Sequence, residues 1–292
     1  MKSARLLAVG MLTVGFLSTA MGSPATAAGS CTASLTLDNG TCSAPVAATL
    51  TTSQVQQRQD KAAQIEAVRA SLNGTSSGGG GITTLTTDPG GGGGTNFKLS
   101  SVVNMDIKME GEGNGKKSYT CGPSATRNMV SAMYKQNTGA YHDVAEATYA
   151  TWEGTTTAGT SRANVAAALN AHFGSMGSWV TSRPSDKASL LSTVIVDTKL
   201  YGQSVITNVD TEYLDFYANN NGVGNHALDH FNFVYGYDTT DDATRYLYVA
   251  DEWNPVYIYG SASYQNPYGR HKEVLSHVFT AVDHTSIHGI VA

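Results

Sequence analysis

The spacing of apolar residues predicts a single amphipathic helix near the amino terminus, set apart from the rest of the chain. Between Ser53 and Leu72, apolar side chains recur at helical spacing, polar residues fill the other positions, and Asn73-Gly74 closes the segment. Serine and glycine dominate the stretch that follows, which is typical of a flexible linker. We therefore expect an accessory segment over residues 28–75, a linker over 76–95 and a larger domain over 96–292.

Within the larger domain, the pattern predicts helices first and strands later. Helical spacing covers three stretches: Gly122 to Tyr134, His142 to Trp152, and Arg162 to Phe173, with Gly174 as a stop. Strand-like stretches follow at Ser204 to Val209, His230 to Tyr237, Arg245 to Asp251, and Val256 to Tyr259. Helices followed by a sheet indicate an α+β fold.

The first residues have the features of a secretory signal. Lys2 and Arg5 precede an apolar stretch from Leu6 to Leu17, and Ala25-Thr26-Ala27 is a small-x-small cleavage site. We expect a signal peptide over residues 1–27, a secreted chain that begins at Ala28, and no stable membrane insertion, because the apolar run is too short to span a bilayer. Residues 28–75 are then either a surface spacer or a propeptide or targeting module that covers an active site until it is removed.

Composition and charge exclude some classes of partner. The chain has 18 Lys and Arg against 23 Asp and Glu, a formal net charge of −5. Because no basic stripe is present, nucleic-acid binding is not expected, and neither is attraction to an anionic membrane. We expect a monomer.

The cysteine count singles out one thiol. The chain has three cysteines, and an oxidising environment would allow Cys31 and Cys42 to pair across a hairpin whose turn is Asp38-Asn39-Gly40. Cys121 is then unpaired. A free thiol oxidises in an exported protein unless its reactivity is used, although free cysteines also serve as small buried apolar residues.

Cys121 is predicted to lie at the start of the helix that follows it. The partial positive charge of a helix start favours the thiolate, and the free amides there can hold a developing oxyanion. Gly122 is expected to leave room for a substrate backbone, and Pro123 suits the first turn.

A predicted hairpin brings a histidine and an aspartate together. If the loop from Asp238 to Ala243 is centred between Thr240 and Asp241, His230 faces Asp251, with Cβ atoms roughly 5 Å apart. The carboxylate would then fix the histidine tautomer and leave the other ring nitrogen for the thiol. A slip of one residue would send the two side chains to opposite faces.

The other histidines are weaker candidates for a catalytic base. In the same register, His226 faces Pro255, so we prefer His230 to this nearby alternative. We interpret the remaining six as surface or core residues: His142, His172, His271, His277, His284 and His288.

These residues resemble the papain-like cysteine peptidases related to bacteriocin-leader-processing enzymes, labelled family C thirty-nine, and their exported relatives. The similar segments are Tyr119-Thr-Cys-Gly-Pro-Ser124, His230-Phe-Asn-Phe-Val-Tyr-Gly-Tyr-Asp238 and Val249-Ala-Asp-Glu-Trp253, within a match from Asn96 to the carboxyl terminus. The resemblance implies a papain-like fold and peptide hydrolysis through an acyl-enzyme on Cys121, with His230 as base, Asp251 as orienter and no cofactor or metal.

The resemblance also implies a glutamine shortly before the cysteine as an oxyanion donor. The stretch from Glu110 to Lys117 contains none, and Asn114 is the candidate for that role. Leader-processing enzymes of this family are usually fused to membrane transporters, and nothing in the chain is long and apolar enough to be one, so cleavage of a double-glycine leader is not implied.

Other functions stay open at this point. A zinc hydrolase could use His226, His230 and either Asp251 or Asp229, although the residues between the histidines lack the glutamate of a helical zinc motif. A non-catalytic exported binding module could keep the same fold and use tyrosine-rich surface stretches such as Tyr257 to Tyr268. An amidase or endopeptidase acting on cell-wall peptides would share the same catalytic residues.

Overall fold

The computed structural model describes residues 50–74, 96–115, 117–218, 229–241, 243–260, 267–285 and 288–292. These residues all belong to one compact unit, which extends from Ser43 to Ala292. The predicted signal peptide, the pair Cys31 and Cys42, the linker and His226 lie outside the described residues, so those expectations stay predictions.

An antiparallel sheet of seven strands is the centre of the fold. Its strand order is β2-β7-β3-β4-β5-β6, and β1 pairs with β4. The strands are β1 (Asn96–Lys98), β2 (Thr181–Ser182), β3 (Val205–Asp210), β4 (Asp229–Asp238), β5 (Tyr246–Asp251), β6 (Gly269–Val274) and β7 (Gly289–Val291).

Helices cover the sheet and confirm the α+β prediction. They are α1 (Thr52–Gly74), α2 (Ser100–Val103), α3 (Cys121–Thr138), α4 (Glu146–Trp152), α5 (Arg162–Phe173), α6 (Lys187–Ile195), α7 (Asp215–Ala218), α8 (Pro255–Tyr259) and α9 (Leu275–His284). A π-helical turn (Val196–Leu200) continues α6, and a 3-10 turn (Thr211–Tyr213) precedes α7. The predicted helices at Ser53, Gly122, His142 and Arg162 therefore correspond to α1, α3, α4 and α5.

Two apolar clusters lie on opposite faces of the sheet. Phe231 and Phe233 of β4 join the cluster of α3, α4 and α5, whereas Val234 joins the cluster of α1, α6 and α9. Alternation along a strand explains this division, because successive side chains point to opposite faces. The start of α3 therefore packs on the face of β4 that carries Phe231 and Phe233.

One predicted strand is wrong. Val256 to Tyr259 alternates like a strand, but Pro255–Tyr259 forms α8. The Asn254 side chain accepts a hydrogen bond from the Tyr257 amide, proline occupies the first turn, and Gly260 ends the helix in a left-handed conformation. Pro255–Tyr259 is too short for the spacing of its apolar residues to distinguish a strand from a helix. The residues that begin and end the helix therefore determine its structure.

Helix α1 is anchored to the rest of the described unit. Val68 and Leu72 are buried in the cluster with α6 and α9, and Lys61 forms a buried ion pair with Asp197 at 3.1 Å. Helix α1 packs on α6 and the π-helical turn, and its Arg58 side chain donates hydrogen bonds to Ser178 and to the Trp179 carbonyl. None of the hydrogen bonds or ion pairs of α1 within the described part of the chain involves Cys121, His230 or Asp251. Whether residues 28–75 are removed stays a prediction, but loss of α1 would leave the buried Asp197 carboxylate without its cation.

No helix among the described residues is long and apolar enough to cross a bilayer.

The Lys61 ion pair provides a test of how α1 is held. We expect Lys61→Ala to lower the free energy of unfolding by about 3 kcal/mol or more, because it leaves Asp197 charged or newly protonated in the interior. Arg69→Ala is the matched control on the same helix, since it breaks only a partly exposed pair with Asp186 and should cost much less. Chemical denaturation measures both variants, and equal small losses would contradict a structural role for the buried pair.

Candidate active site

Cys121 is the first residue of α3. Its thiol is free and partly exposed, and Pro123 lies in the first turn, where its missing amide costs no hydrogen bond. The Thr120 side chain does not cap the helix, but the Thr120 amide donates to Oε1 of Glu110 at 2.9 Å. The helix start therefore presents the sulfur together with free amides.

Gly122 has a packing role that differs from the expected one. A Cβ at this position would lie 2.2 Å from Cγ2 of Thr160 and 3.3 Å from Oε2 of Glu153. The space beside Gly122 is thus filled by protein side chains, so the expectation that it leaves room for a substrate backbone is wrong. Glycine is required there because α3 approaches Thr160 and Phe231 closely.

His230 lies between Cys121 and Asp251, the two residues predicted to contact it. It is the second residue of β4 and is 6% exposed. Its Nε2 is 3.3 Å from Oδ1 of Asp251, an ion-pair distance, although the direction is not that of a normal hydrogen bond. The Cys121 side chain is within hydrogen-bonding range of the same ring. Because Nε2 faces Asp251, Nδ1 is the nitrogen left for the thiol.

The register that predicted this contact is wrong. Phe233 pairs with Ala250, and a bulge at Tyr235 shifts the pairing so that Gly236 faces Tyr248. Continuing the register past Phe233 places Asp251 opposite Asn232, so His230 and Asp251 are diagonal neighbours. Near the site, the predicted register differs from the observed one by two residues. Because a shift by an even number of residues keeps both side chains on one face, His230 and Asp251 still contact each other.

Asp251 is held by groups that the sequence analysis missed. Tyr217 of α7 donates its hydroxyl to Oδ2 at 2.8 Å, and the Trp253 amide donates to Oδ1 at 2.9 Å. The rings of Tyr217 and Trp253 stack at 5.7 Å, and both lie about 6 Å from the His230 ring. These aromatic rings keep water from the ion pair, which strengthens its electrostatic attraction.

The charges around His230 favour its protonated form. Burial alone lowers the pKa of an imidazole, but the Asp251 carboxylate and the Cys121 sulfur act against burial and raise the pKa of His230 well above its usual value. The geometry therefore supports an imidazolium between a carboxylate and a thiol. Such an arrangement can activate sulfur as a nucleophile and return a proton to a leaving group.

Buried glutamates surround this centre, and no local sequence pattern indicates their burial. Glu110 is 1% exposed, and burial, opposed by His230 and the Thr120 amide, raises its pKa to about 7. Glu252 is fully buried, neither of its oxygens has a hydrogen-bond partner, and burial together with Asp251 raises its pKa well above the usual value. Glu252 directly follows Asp251 and belongs to the aspartate segment identified in the sequence. Its burial, however, could not be predicted from that segment.

Asn114, the predicted oxyanion donor, has a different partner. Its side-chain amide donates to Oε1 of Glu146 at 3.2 Å, and the other carboxylate oxygen accepts from the Gly111 amide. One of the two donors of Asn114 is thus committed to a buried carboxylate.

One group of three side chains offers metal-ligand atoms that lie close together. Among the described residues, Asp215, Glu273 and His277 have donor atoms within 4.8 Å of one another. Nδ1 of His277 already lies 3.2 Å from Asp215 and 3.1 Å from Glu273, so the three also form an ion-pair network. The zinc ligands considered from the sequence do not form such a group among the described residues, and His226 is not one of those.

Comparison with known proteins adds weak structural similarities. No protein-family model matches the chain, and no curated protein sequence matches it. The chain is similar to the bromelain protease from Ananas comosus in complex with the E64 inhibitor, with 12% identity, a TM-score of 0.41, and coverage of 68% of this chain and 97% of that one. It is also similar to a recombinant stem bromelain precursor, with 13% identity, a TM-score of 0.35, and coverage of 84% and 93%. Because both TM-scores are below 0.5, the chemistry must be argued from the site itself.

Glu153 provides a test of the buried carboxyl groups. Its side chain is fully buried beside Gly122, and burial raises its pKa to about 8, although Thr126 acts in the opposite direction without a hydrogen bond of normal geometry. A raised carboxyl pKa makes the folded state more stable below the unfolded-state pKa, and that stability is lost as pH rises from about 4.5 to about 8.

We therefore expect Glu153→Gln to stabilise the protein at pH 9 relative to wild type, by on the order of 4 kcal/mol, and to reduce the loss of stability between pH 5 and pH 9. Glu66→Gln, an exposed substitution on α1, should leave the pH dependence unchanged. Urea denaturation at pH 5, 7 and 9 measures the effect. Parallel pH profiles for wild type and Glu153→Gln would contradict a neutral, buried Glu153.

Proposed function

We propose that this chain is a papain-like cysteine peptidase that hydrolyses peptide bonds through a thioester on Cys121. The observation that carries the proposal is the contact of one buried imidazole, His230, with both the Asp251 carboxylate and the Cys121 side chain at the start of a helix. His230 acts as the base and then the acid, Asp251 orients its ring, and no cofactor takes part.

The chemical steps follow from these positions. The Cys121 sulfur attacks the peptide carbonyl, and the carbonyl electron pair moves to oxygen. Collapse of this intermediate breaks the C–N bond, and the amine leaves with the proton from His230. Water, deprotonated by His230, then attacks the thioester and releases the acid, which regenerates the thiol.

The arrangement argues against the other candidate functions. A binding module has no use for an imidazolium held by a buried carboxylate beside a free thiol, because burying these charges is costly. An amidase or endopeptidase of cell-wall peptides shares this chemistry and differs in substrate, so it remains within the proposal as a question of specificity.

The central test compares wild type with Cys121→Ala on a mixed peptide library. We expect kcat/KM to fall by about 10³-fold or more, because the nucleophile is lost, and we expect iodoacetamide to inactivate the wild type while a chelator does not. Hydrolysis that persists in Cys121→Ala would overturn the proposal, and inactivation by the chelator alone would favour the zinc hydrolase. Parallel incubations with casein and purified peptidoglycan distinguish the two substrate classes.

His230→Ala should cause a loss of similar size, with His142→Ala as the matched control. His142 stacks on Tyr134, near the opposite end of α3 from Cys121, so its removal should leave kcat/KM within about twofold. Equal activity of the two variants would contradict the role of His230.

We also propose that the protein is secreted after removal of residues 1–27. This proposal is supported by the charged start, the apolar stretch and the small-x-small site in the sequence. Mass spectrometry of the protein from the culture medium should find an amino terminus at Ala28, and a cell-retained chain beginning at Met1 would contradict it. The same spectra, recorded with and without reduction, test the predicted bridge between Cys31 and Cys42.

A further inference from the structure

Glu110 occupies a position between the helix start and the segment that carries Asp251. Its Oε1 accepts the amide of Thr120, the residue directly before Cys121, at 2.9 Å. Its own backbone amide donates to the carbonyl of Glu252 at 2.8 Å. The Glu110 side chain is therefore held at the residue directly before Cys121, and its backbone is held at Glu252.

One oxygen of this carboxyl group is available. Oε1 is engaged by Thr120, and no hydrogen bond joins Oε2 to any residue that the structure describes. The buried carboxylate of Glu146 differs in this respect, because each of its oxygens accepts a hydrogen bond. Oε2 accepts from the Gly111 amide, and Oε1 accepts from the Asn114 side chain.

The neighbouring charges disfavour ionisation of Glu110. Three further carboxyl groups act on this centre: Glu146, Asp251 and the unpartnered Glu252. His230 and the Thr120 amide act in the opposite direction. Burial is the largest cause, and together with these carboxyl groups it raises the pKa of Glu110 to about 7, so the neutral acid, which has an O–H donor, is well populated at neutral pH.

Peptide hydrolysis needs hydrogen-bond donors beside the carbonyl group that Cys121 attacks. The carbonyl oxygen gains negative charge when Cys121 attacks, and a buried donor aimed at that oxygen lowers the barrier. The Cys121 amide at the helix start can supply one hydrogen bond. Asn114 has committed part of its amide to Glu146, whereas the Glu110 carboxyl group bonds the residue directly before Cys121.

We propose that Glu110, as a neutral carboxylic acid, is a catalytic residue that donates a hydrogen bond from Oε2 to the oxyanion formed on the substrate carbonyl. This inference rests on the proposed function. The proton stays on Glu110 throughout: the C–S bond forms, the carbonyl electron pair moves to oxygen, and that oxygen accepts the Oε2–H bond until the C–N bond breaks. Ionised Glu110 would instead repel the oxyanion.

The test is the pH profile of kcat/KM for wild type, Glu110→Gln and Glu110→Met. Wild-type activity should fall on the alkaline side around pH 7, because Glu110 loses its donor there. Glutamine is a donor at every pH, so Glu110→Gln should move this alkaline fall upward by at least about one pH unit. At pH 8.5 the variant should exceed wild type by about tenfold.

Glu110→Met removes the donor and keeps the size of the side chain. It should lower kcat by about 10²-fold at pH 6, with little change in KM, which a merely structural role would not produce. Glu112→Gln is the control, since Glu112 lies two residues after Glu110, is partly exposed and accepts from the Met109 amide. It should keep the wild-type profile.

The rate of Cys121 alkylation at pH 7 separates this proposal from the proposed function. It should be similar in all Glu110 variants, because no oxyanion forms in that reaction. If Cys121-dependent hydrolysis is present but Glu110→Gln leaves the alkaline fall in place, or Glu110→Met keeps its kcat, the Glu110 proposal is overturned alone. If the wild type hydrolyses no peptide, both proposals fall. Since Glu110→Gln is nearly isosteric, its profile decides the matter even where Glu110→Met fails to fold.

Discussion

The candidate site depends on a carboxylate kept negatively charged in the interior at the end of the sheet. Asp251 is fully buried, and removal of a carboxylate from water is costly unless hydrogen bonds and an opposite charge compensate it. Tyr217 and the Trp253 amide supply the hydrogen bonds, and His230 supplies the charge. The same compensation fixes the imidazole, so its other nitrogen meets the sulfur at the start of α3.

Around this ion pair, similar side chains lie in different electrostatic surroundings. Asp251 has two hydrogen-bond donors and a cation, whereas Glu252, one residue later, has no hydrogen-bond partner, and burial together with Asp251 raises its pKa well above the usual value. Glu110 lies between these cases, because one amide and His230 partly offset its burial. Environments that push the pKa values of neighbouring acids apart are a recurring way to assign acid and base roles in one site.

The sequence predicted the elements better than the contacts between them. Periodicity and capping residues located α3, α4 and α5 closely, since those signals are local. The strand register was wrong because the bulge at Tyr235 and the length of the turn are not visible in the alternation of β4 and β5. The pairing of His230 with Asp251 was still found, since a two-residue error keeps the face. The burial of Glu110 and Glu252 and the contact of Tyr217 with Asp251 depend on tertiary packing, and no local pattern indicates them.

The most direct test of the account is the protonation state of His230. Nitrogen-15 NMR of the histidine side chains, with the His230 signals assigned by their loss in His230→Gln, would follow this ring from pH 5 to pH 9. The account predicts that the ring stays an imidazolium well above the usual histidine pKa of about 6.5 and that Asp251→Asn removes much of this shift. A wild-type His230 that titrates at or below about 6.5 would contradict the buried ion pair on which the proposed chemistry depends.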